Sequence, residues 1–579
     1  MAQNQEKEKS FLRESVMSLL PFVKRVTLFS VFTTLLILAP SVYMLEVYDR
    51  VVNSRNATTL LMLTIWVVGA YLILQLLEWV RRQVMQEASL VLDEKVREGV
   101  VHAVFKAQLN NLRAAGSEAL KDLKTICDFL PSQAFLAFID VPLALLILIL
   151  VFLINPFLGW FAVGGALVLF AIGMFNERRI KQPFEDASRN RTASQLYVAG
   201  GARGAQVIES MGMLDQIHAR WLKLHTRFVD KQAQASDHAG ANAALSKMIQ
   251  TMTGSLILGL GAWFAIRGEL TGGLMIVASI LGGRVVAPLV QLIANWRQVI
   301  AVREAYVRLE NLLKLFPMQG KSMSLPEPAG NLSVEGVIAG PPQSRLQVLK
   351  GITFRVPAGN SLAVVGPTAS GKTTLARLLV GIWPSMNGAI RLDGSDIYKW
   401  DKEELGPHLG YLPQDIELFD GTLAENIARF GEIDEEKVNA ACNMVGLSDI
   451  VGQLPQGLHT PIGNDGAFLS GGQRQRVALA RAVYGMPKFV VLDEPNSSLD
   501  EAGDAALVQA LRTLKANGTT VIVVTHRMNI LSAIDYMLVL VDGRISKFGP
   551  CKEVLSALQG ATNSTTSKPP VTRPAGGGA

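Results

Sequence analysis

Cysteine is nearly missing from this chain, with three in 579 residues. Cys127, Cys442 and Cys551 are far apart, odd in number and form no CxxC. That argues against a disulfide framework or a zinc site and fits a reducing compartment. Charge is scarce as well. Asp, Glu, Lys and Arg make up 18% of residues, against about 25% in an average soluble domain. Hydrophobic residues reach 49% and the mean hydropathy is +0.28. These values exclude a disordered chain and fit a purely soluble enzyme poorly. The net charge of +6 is thin over this length and gives no case for a nucleic-acid partner. No internal repeat is visible.

What is present is a set of long apolar runs, nearly all before residue 300. They are Val26–Leu45, Thr59–Val80, Phe135–Ile154, Phe157–Phe175, Ile249–Ile266 and Gly272–Trp296. Each is about long enough to cross a hydrocarbon layer of roughly 30 Å as a helix. Buried helices of a large soluble protein are the alternative, and six runs in this space fit it badly. Asn155-Pro156 marks a tight turn between the third and fourth, and Pro142 is tolerable as a kink. Lys and Arg crowd three segments: residues 1–25, the segment from Arg81 to Lys124, and the segment from Arg178 to Lys247. The intervening connections are short and hold few basic residues. The charge rule then places both termini and both long segments in the cytoplasm. Leu90–Phe105 and Ala193–Phe228 read as helices that continue out of the membrane and turn back. The first run is too long for a signal core and lacks a small-x-small cleavage site, so a retained anchor is expected.

Composition changes after Trp296. Arg297–Phe316 reads as a polar-faced helix, and Pro317–Gly330 is a Pro/Gly/Ser-rich linker. From about Asn331, short β-branched runs alternate with helical patterns, which implies an α/β unit. The expected order is a cytoplasmic segment (1–25), a six-span all-α membrane domain (26–316), the linker (317–330), an α/β nucleotide-binding domain (331–559) and a Thr/Ser/Pro/Gly-rich tail without structure (560–579).

Candidate chemistry sits in that α/β unit. The strand Ser361–Val365 runs into Gly366-Pro367-Thr368-Ala369-Ser370-Gly371-Lys372-Thr373 and then a helix beginning near Thr374. This is a GxxxxGK[ST] phosphate loop in its strand–loop–helix context. Glycines let backbone N–H groups converge on phosphate, and the helix N-terminus adds partial positive charge. Lys372 can reach the outer phosphates of ATP, and the Thr373 hydroxyl can ligate Mg²⁺. A glycine-rich βα turn is the plain alternative. Phe489-Val490-Val491-Leu492-Asp493-Glu494 is a buried strand ending in two acids. Asp493 is placed to hold Mg²⁺ through water, and Glu494 to orient and deprotonate the attacking water. Leu469-Ser470-Gly471-Gly472-Gln473 precedes another helix, with Ser470 an N-cap type. Taken alone it reads equally as a capped helix or as a second phosphate cradle.

Together with Gln414, the Ser498-Leu499-Asp500 turn and His526, these motifs resemble an ATP-binding-cassette (ABC) ATPase over about Asn331–Leu558. Order and spacing both match: Gln414 is 42 residues past Lys372, and His526 is 33 past Asp493. The resemblance implies that Ser470, Gly471, Gly472 and Gln473 of one subunit close over ATP held by another. It further implies that Gln414 touches Mg²⁺ and the membrane domain, that His526 contacts the γ-phosphate and Glu494, and that Asp500 lies across a dimer interface. Gly421–Ile427 resembles the segment exporters use to contact membrane helices. One departure is the stretch Val337–Pro342, which has no aromatic residue where many cassettes stack adenine, so weak base selectivity is expected. Intact Lys372, Ser470, Gly472, Glu494 and His526 favour a homodimer over a heterodimer.

The membrane domain fused ahead of the cassette is similar to ABC exporters. Pro40–Val52 with Ser54-Arg55, and Leu281–Leu289 in the sixth run, resemble type I secretion ATPases, in the branch that exports proteases, lipases and haemophores. Other type I branches carry an N-terminal peptidase or peptidase-like domain, and with only about 25 residues ahead of the first run none is expected here. The resemblance implies a bacterial inner-membrane exporter of polypeptides with C-terminal signals, working with a periplasmic adaptor and an outer-membrane channel. Export of lipid or a small amphiphile is the alternative, and a membrane-anchored ATP-dependent regulator fits less well. Arg284, a charge within an apolar run, is expected to line the translocation route or to form a structural ion pair. Glu78 reads as structural.

Overall fold

A computed structural model describes residues 11–110, 112–318 and 324–565. The chain divides near Met318 into two compact units.

The first unit is all helix. A short helix, α1 (Phe11–Met17), and a longer one, α2 (Leu20–Leu36), lead into α3 (Ala39–Glu46). Pro40 in the first turn of α3 explains the break before it, because proline supplies no N–H to continue the preceding helix. A π-helical turn, Val47–Val51, follows. Then come α4 (Ala57–Leu109), α5 (Arg113–Phe129), α6 (Gln133–Ile154), α7 (Pro156–Arg203), α8 (Leu214–Ile266), α9 (Gly272–Ala294) and α10 (Trp296–Leu315). Among the described residues, six helical segments are long and apolar enough to cross a membrane. Both α4 and α8 have 53 residues. At 1.5 Å per residue that is about 80 Å, far beyond a hydrocarbon layer of about 30 Å. These helices therefore carry polar extensions, as the reading of Leu90–Phe105 anticipates. Large apolar side chains such as Leu72, Trp79, Leu153 and Trp160 face outward and exposed. Outward apolar surface on this scale suits lipid rather than water.

Three expectations shift. The helix that carries the start of the first apolar run begins at Leu20, ahead of Val26, with Pro21 in its first turn, where a missing N–H costs nothing. The helix expected over Ala193–Phe228 is broken: α7 ends at Arg203, a short helix spans Ala205–Ser210, and α8 starts at Leu214. Gly212 at φ +62° makes the second break, a conformation glycine adopts without strain. The tail expected to lack structure begins within a helix, Cys551–Thr565; its remainder, like residues 319–323 of the linker, lies outside the described residues.

The second unit is α/β. Strands β1 (Leu332–Ala339), β2 (Leu349–Val356), β4 (Asn387–Leu392) and β5 (Ser395–Asp396) form an antiparallel sheet. The central sheet has the order β10-β9-β3-β8-β7-β6. Its members are β3 (Ser361–Val365), β6 (Leu409–Leu412), β7 (Phe489–Asp493), β8 (Thr520–Val524), β9 (Tyr536–Val541) and β10 (Arg544–Pro550). Strands β9-β3-β8-β7-β6 run parallel. Every residue of β7 and β8 is buried, as a sheet covered on both faces requires. One core, with Val490, Leu492 and Val523, packs on one face, and another, with Phe489, Val491 and Ile522, on the other. Parallel pairing brings the carboxyl ends of β3, β7 and β8 to a single edge, where ligands of open α/β sheets bind.

Candidate nucleotide site

The phosphate loop leaves β3 at that edge and enters α11 (Lys372–Leu379) through Gly371 at φ +101°. A side chain at Gly371 would strike Leu349 at 2.8 Å, and one at Gly366 would meet the Leu540 carbonyl at 2.1 Å. Both positions need glycine for the loop to close. Lys372 is buried, and its Nζ donates to the carbonyls of Gly366 and Pro367, 2.9 Å each. The ammonium thus lies within the curve of the loop. Burial pulls it below the ordinary lysine range, while Glu494 and Asp493 act in the opposite direction. Ser370 turns a buried hydroxyl inward with no partner among the described residues.

Three oxygen donors converge beside the loop. The Thr373 hydroxyl is 3.3 Å from the Gln414 side-chain carbonyl. Asp493, at the end of β7, is 1% exposed, and both carboxylate oxygens lack a hydrogen-bond partner among the described residues. Burial pushes its carboxyl above the usual carboxylate range. An orphaned buried carboxylate next to hydroxyl and amide oxygens is the ligand chemistry of a hard divalent cation. Glu494 follows at φ +51°, a conformation uncommon outside glycine. Its N–H donates to Val524 at 3.0 Å, its carbonyl accepts from Gln475 Nε2 at 3.2 Å, and its Oε1 is 3.4 Å from His526 Nε2.

The signature segment is built differently. Ser470 caps α12 (Gly471–Val483) in a capping box: its hydroxyl accepts from the Gln473 N–H, and Gln473 Oε1 accepts from the Ser470 N–H at 2.8 Å. No acid occupies the first turn of this helix. Asp500 caps α13 (Glu501–Ala516), accepting from the Gly503 N–H at 2.8 Å and pairing with Arg476. The Gly503 N–H, then Arg476, hold the Asp500 carboxyl below the usual range. Among the described residues, hydrogen bonds and ion pairs of Ser470, Gln473 and Asp500 reach no residue of the phosphate loop. One chain therefore brings together Lys372, Thr373, Gln414, Asp493, Glu494 and His526, while Ser470, Gly471, Gly472, Gln473 and Asp500 form a separate group. Thr368, Ala369 and Thr374 stay with the phosphate loop, Ala369 at φ +65°.

Gln475 escaped the sequence reading. It is 1% exposed and braces both acids' turn, donating to Glu494 and accepting from the Ser498 N–H at 2.6 Å. A glutamine among buried positions of an amphipathic helix was the available signal. The loop after β1 is also informative. Val348 donates to Ala339 at 2.8 Å, and its side chain packs beside Gly371. Aliphatic groups of Val348 and Leu349 thus flank the phosphate loop.

Comparisons with known proteins cover both units of the chain. Residues 349–497 match the ABC transporter family, and residues 25–286 match the ABC transporter transmembrane region. The Type I secretion system ATP-binding protein PrsD of Rhizobium meliloti (strain 1021) is 39% identical over 528 residues, 91% of this chain and 91% of that protein. The Leukotoxin translocation ATP-binding protein LktB of Mannheimia haemolytica is 26% identical over 538 residues, 92% of this chain and 76% of that protein. A solved structure of a bacterial Atm1-family ABC exporter with ATP bound superposes with a TM-score of 0.80 at 22% identity, covering 95% of this chain and 99% of the other, and supports the fold. A helical membrane domain fused to an ATP-binding cassette, with this site and these relatives, makes the chain an ATPase that belongs to the type I secretion ATP-binding proteins of the ABC transporter family.

Proposed function

We propose that the chain exports a polypeptide bearing a C-terminal signal across a bacterial inner membrane, as a homodimer driven by ATP. A periplasmic adaptor and an outer-membrane channel would complete the route, and both termini would be cytoplasmic. The observation that carries the ATP mechanism is the separation of site residues into two groups within one chain. A phosphate loop whose signature partner is built elsewhere needs a second copy to complete each site.

The residues divide the work. Gly366–Thr373 turn N–H groups toward the phosphates, and Lys372 exchanges its loop carbonyls for phosphate oxygens. Thr373, Gln414 and Asp493 would hold Mg²⁺, which supplies charge neutralisation at the phosphates when bound. Glu494 orients the attacking water and accepts its proton, and His526, 3.4 Å away, fixes that carboxylate and faces the γ-phosphate. Ser470 and Gly472 of the partner close the site from the other side. The test is ATPase activity of the purified, reconstituted protein with C-terminal peptides of candidate secreted proteins. A several-fold change with signal peptides and none with scrambled peptides supports polypeptide export. Response to lipids or amphiphiles alone overturns it.

A further inference from the structure

A cavity of about 200 Å³ lies inside the membrane domain, walled by α2, α4, α6 and α9. Its lining holds five charged side chains: Glu78, Arg81 and Arg82 from α4, Asp140 from α6 and Arg284 from α9. Charges at such positions are costly beside lipid and are kept where they have a partner or a task. Part of the set is satisfied internally. Arg81, only 6% exposed, donates to Asp140 at 2.7 Å and to the Thr33 hydroxyl at 3.3 Å. Its remaining nitrogen, Nε, is buried and has no acceptor among the described residues. Arg82 and Arg284 are exposed along this cavity, and among the described residues neither has a carboxylate within 4.0 Å. Glu78 lines the same cavity as Arg284.

Three guanidinium groups thus face two carboxylates, and one carboxylate is already taken by Arg81. The excess is positive and includes an orphaned, buried N–H. Guanidinium presents its donors as a planar fork matched to carboxylate. Drug-sized ligands need about 300–1,000 Å³, so this space suits one small anionic group on a chain rather than a whole lipid or a folded domain. Resting on the polypeptide-export reading, we propose that the cavity receives a carboxylate of the exported chain, from an Asp or Glu side chain or from the C-terminus, with Arg82 and Arg284 as its ligands and the Arg81–Asp140 pair as their support.

The test uses the full-length protein in nanodiscs and fluorescein-labelled Gly/Ser peptides of equal length. One carries interspersed Asp with an amidated end, one carries Asn with a free terminal carboxylate, one carries Asn with an amidated end, and one carries Lys with an amidated end. Wild type should bind the first or second at least about tenfold more tightly than the uncharged peptide, the scale of a desolvated charge pair; which of the two binds identifies the carboxylate. Arg82→Gln with Arg284→Gln should erase the preference. Arg82→Glu with Arg284→Glu should transfer it to the Lys peptide, a gain that a misfolded protein cannot give. Equal binding of acidic and uncharged peptides by wild type, or an unchanged preference in the charge-reversed protein, overturns the site. If cells expressing wild type still secrete a protein substrate in that case, export stands and only the cavity assignment falls. Loss of secretion together with binding of phosphatidylglycerol vesicles in place of peptides overturns both.

Discussion

Gln414 and Thr373 meet side chain to side chain at 3.3 Å, across 41 residues of sequence. The contact aligns an amide oxygen with the hydroxyl that follows the phosphate-loop lysine, one strand away from the orphaned Asp493. Gln414→Ala removes one oxygen from this donor set. The Mg²⁺ concentration for half-maximal ATPase should rise by about tenfold, the lower end of what losing a supporting metal contact costs. Titration of Mg²⁺ at fixed ATP measures it, and an unchanged curve would remove Gln414 from the cation site.

Glu494→Gln keeps the side-chain size and a hydrogen-bonding group while removing the base. ATP should still bind, and turnover should fall by roughly 10²–10⁴, the usual worth of a general base. Single-turnover hydrolysis with parallel nucleotide-binding measurements separates the two. Lys372→Ala should act on the other side of that divide and weaken ATP binding itself.

Mixed dimers test the two-copy site. A Lys372→Ala chain paired with a Gly472→Asp chain places both lesions in one composite site and leaves the other intact. Gly472 has little room, since a Cβ there would lie 3.0 Å from the Ser498 carbonyl. The mixed dimer should hydrolyse ATP faster than either mutant homodimer. Robust activity from a purified monomer would contradict the composite arrangement.

The motifs were legible because nucleotide chemistry demands fixed residue types at fixed spacing. The strand–loop–helix around Lys372 and the apolar strand ending at Asp493 follow from that demand. The spans were legible because a lipid layer demands length. Their ends were less so: Pro21 starts a helix where composition still reads as polar flank, and the break at Gly212 falls inside a periodic pattern. Gln475 and Asp140 stayed hidden for a different reason. Asp140 is a single polar residue in an apolar run, whereas Gln475 is one of several polar residues at the start of its helix, and the task of each depends on a partner distant in sequence, Arg81 for Asp140 and Ser498 for Gln475. Pairings of that kind are set by packing, and no local spacing announces them.

Asp49 ties the end of the first membrane segment to the start of the last. It sits in the π-helical turn, and its carboxylate accepts from the Gly273 N–H at 3.0 Å and from the Thr271 hydroxyl at 2.8 Å. Thr271 in turn caps α9 by accepting from the Leu274 N–H at 3.2 Å. The carboxylate thus satisfies an otherwise unpaired helix-terminal N–H and favours the positive end of the helix dipole. Gly273 is needed for this approach, because a Cβ there would lie 2.7 Å from Asp49 Oδ1. Gly273→Ala must therefore displace the carboxylate, and Asp49→Ala removes it. Each should cost about 1–2 kcal/mol, the range for losing a helix cap. The two act on one contact, so the double variant should cost little more than either single, leaving a coupling of at least about 0.5 kcal/mol in a double-mutant cycle. Denaturant unfolding of the reconstituted protein reads this out. Additive losses would show that Asp49 and Gly273 stabilise the protein separately and that the clamp between the two segments contributes nothing.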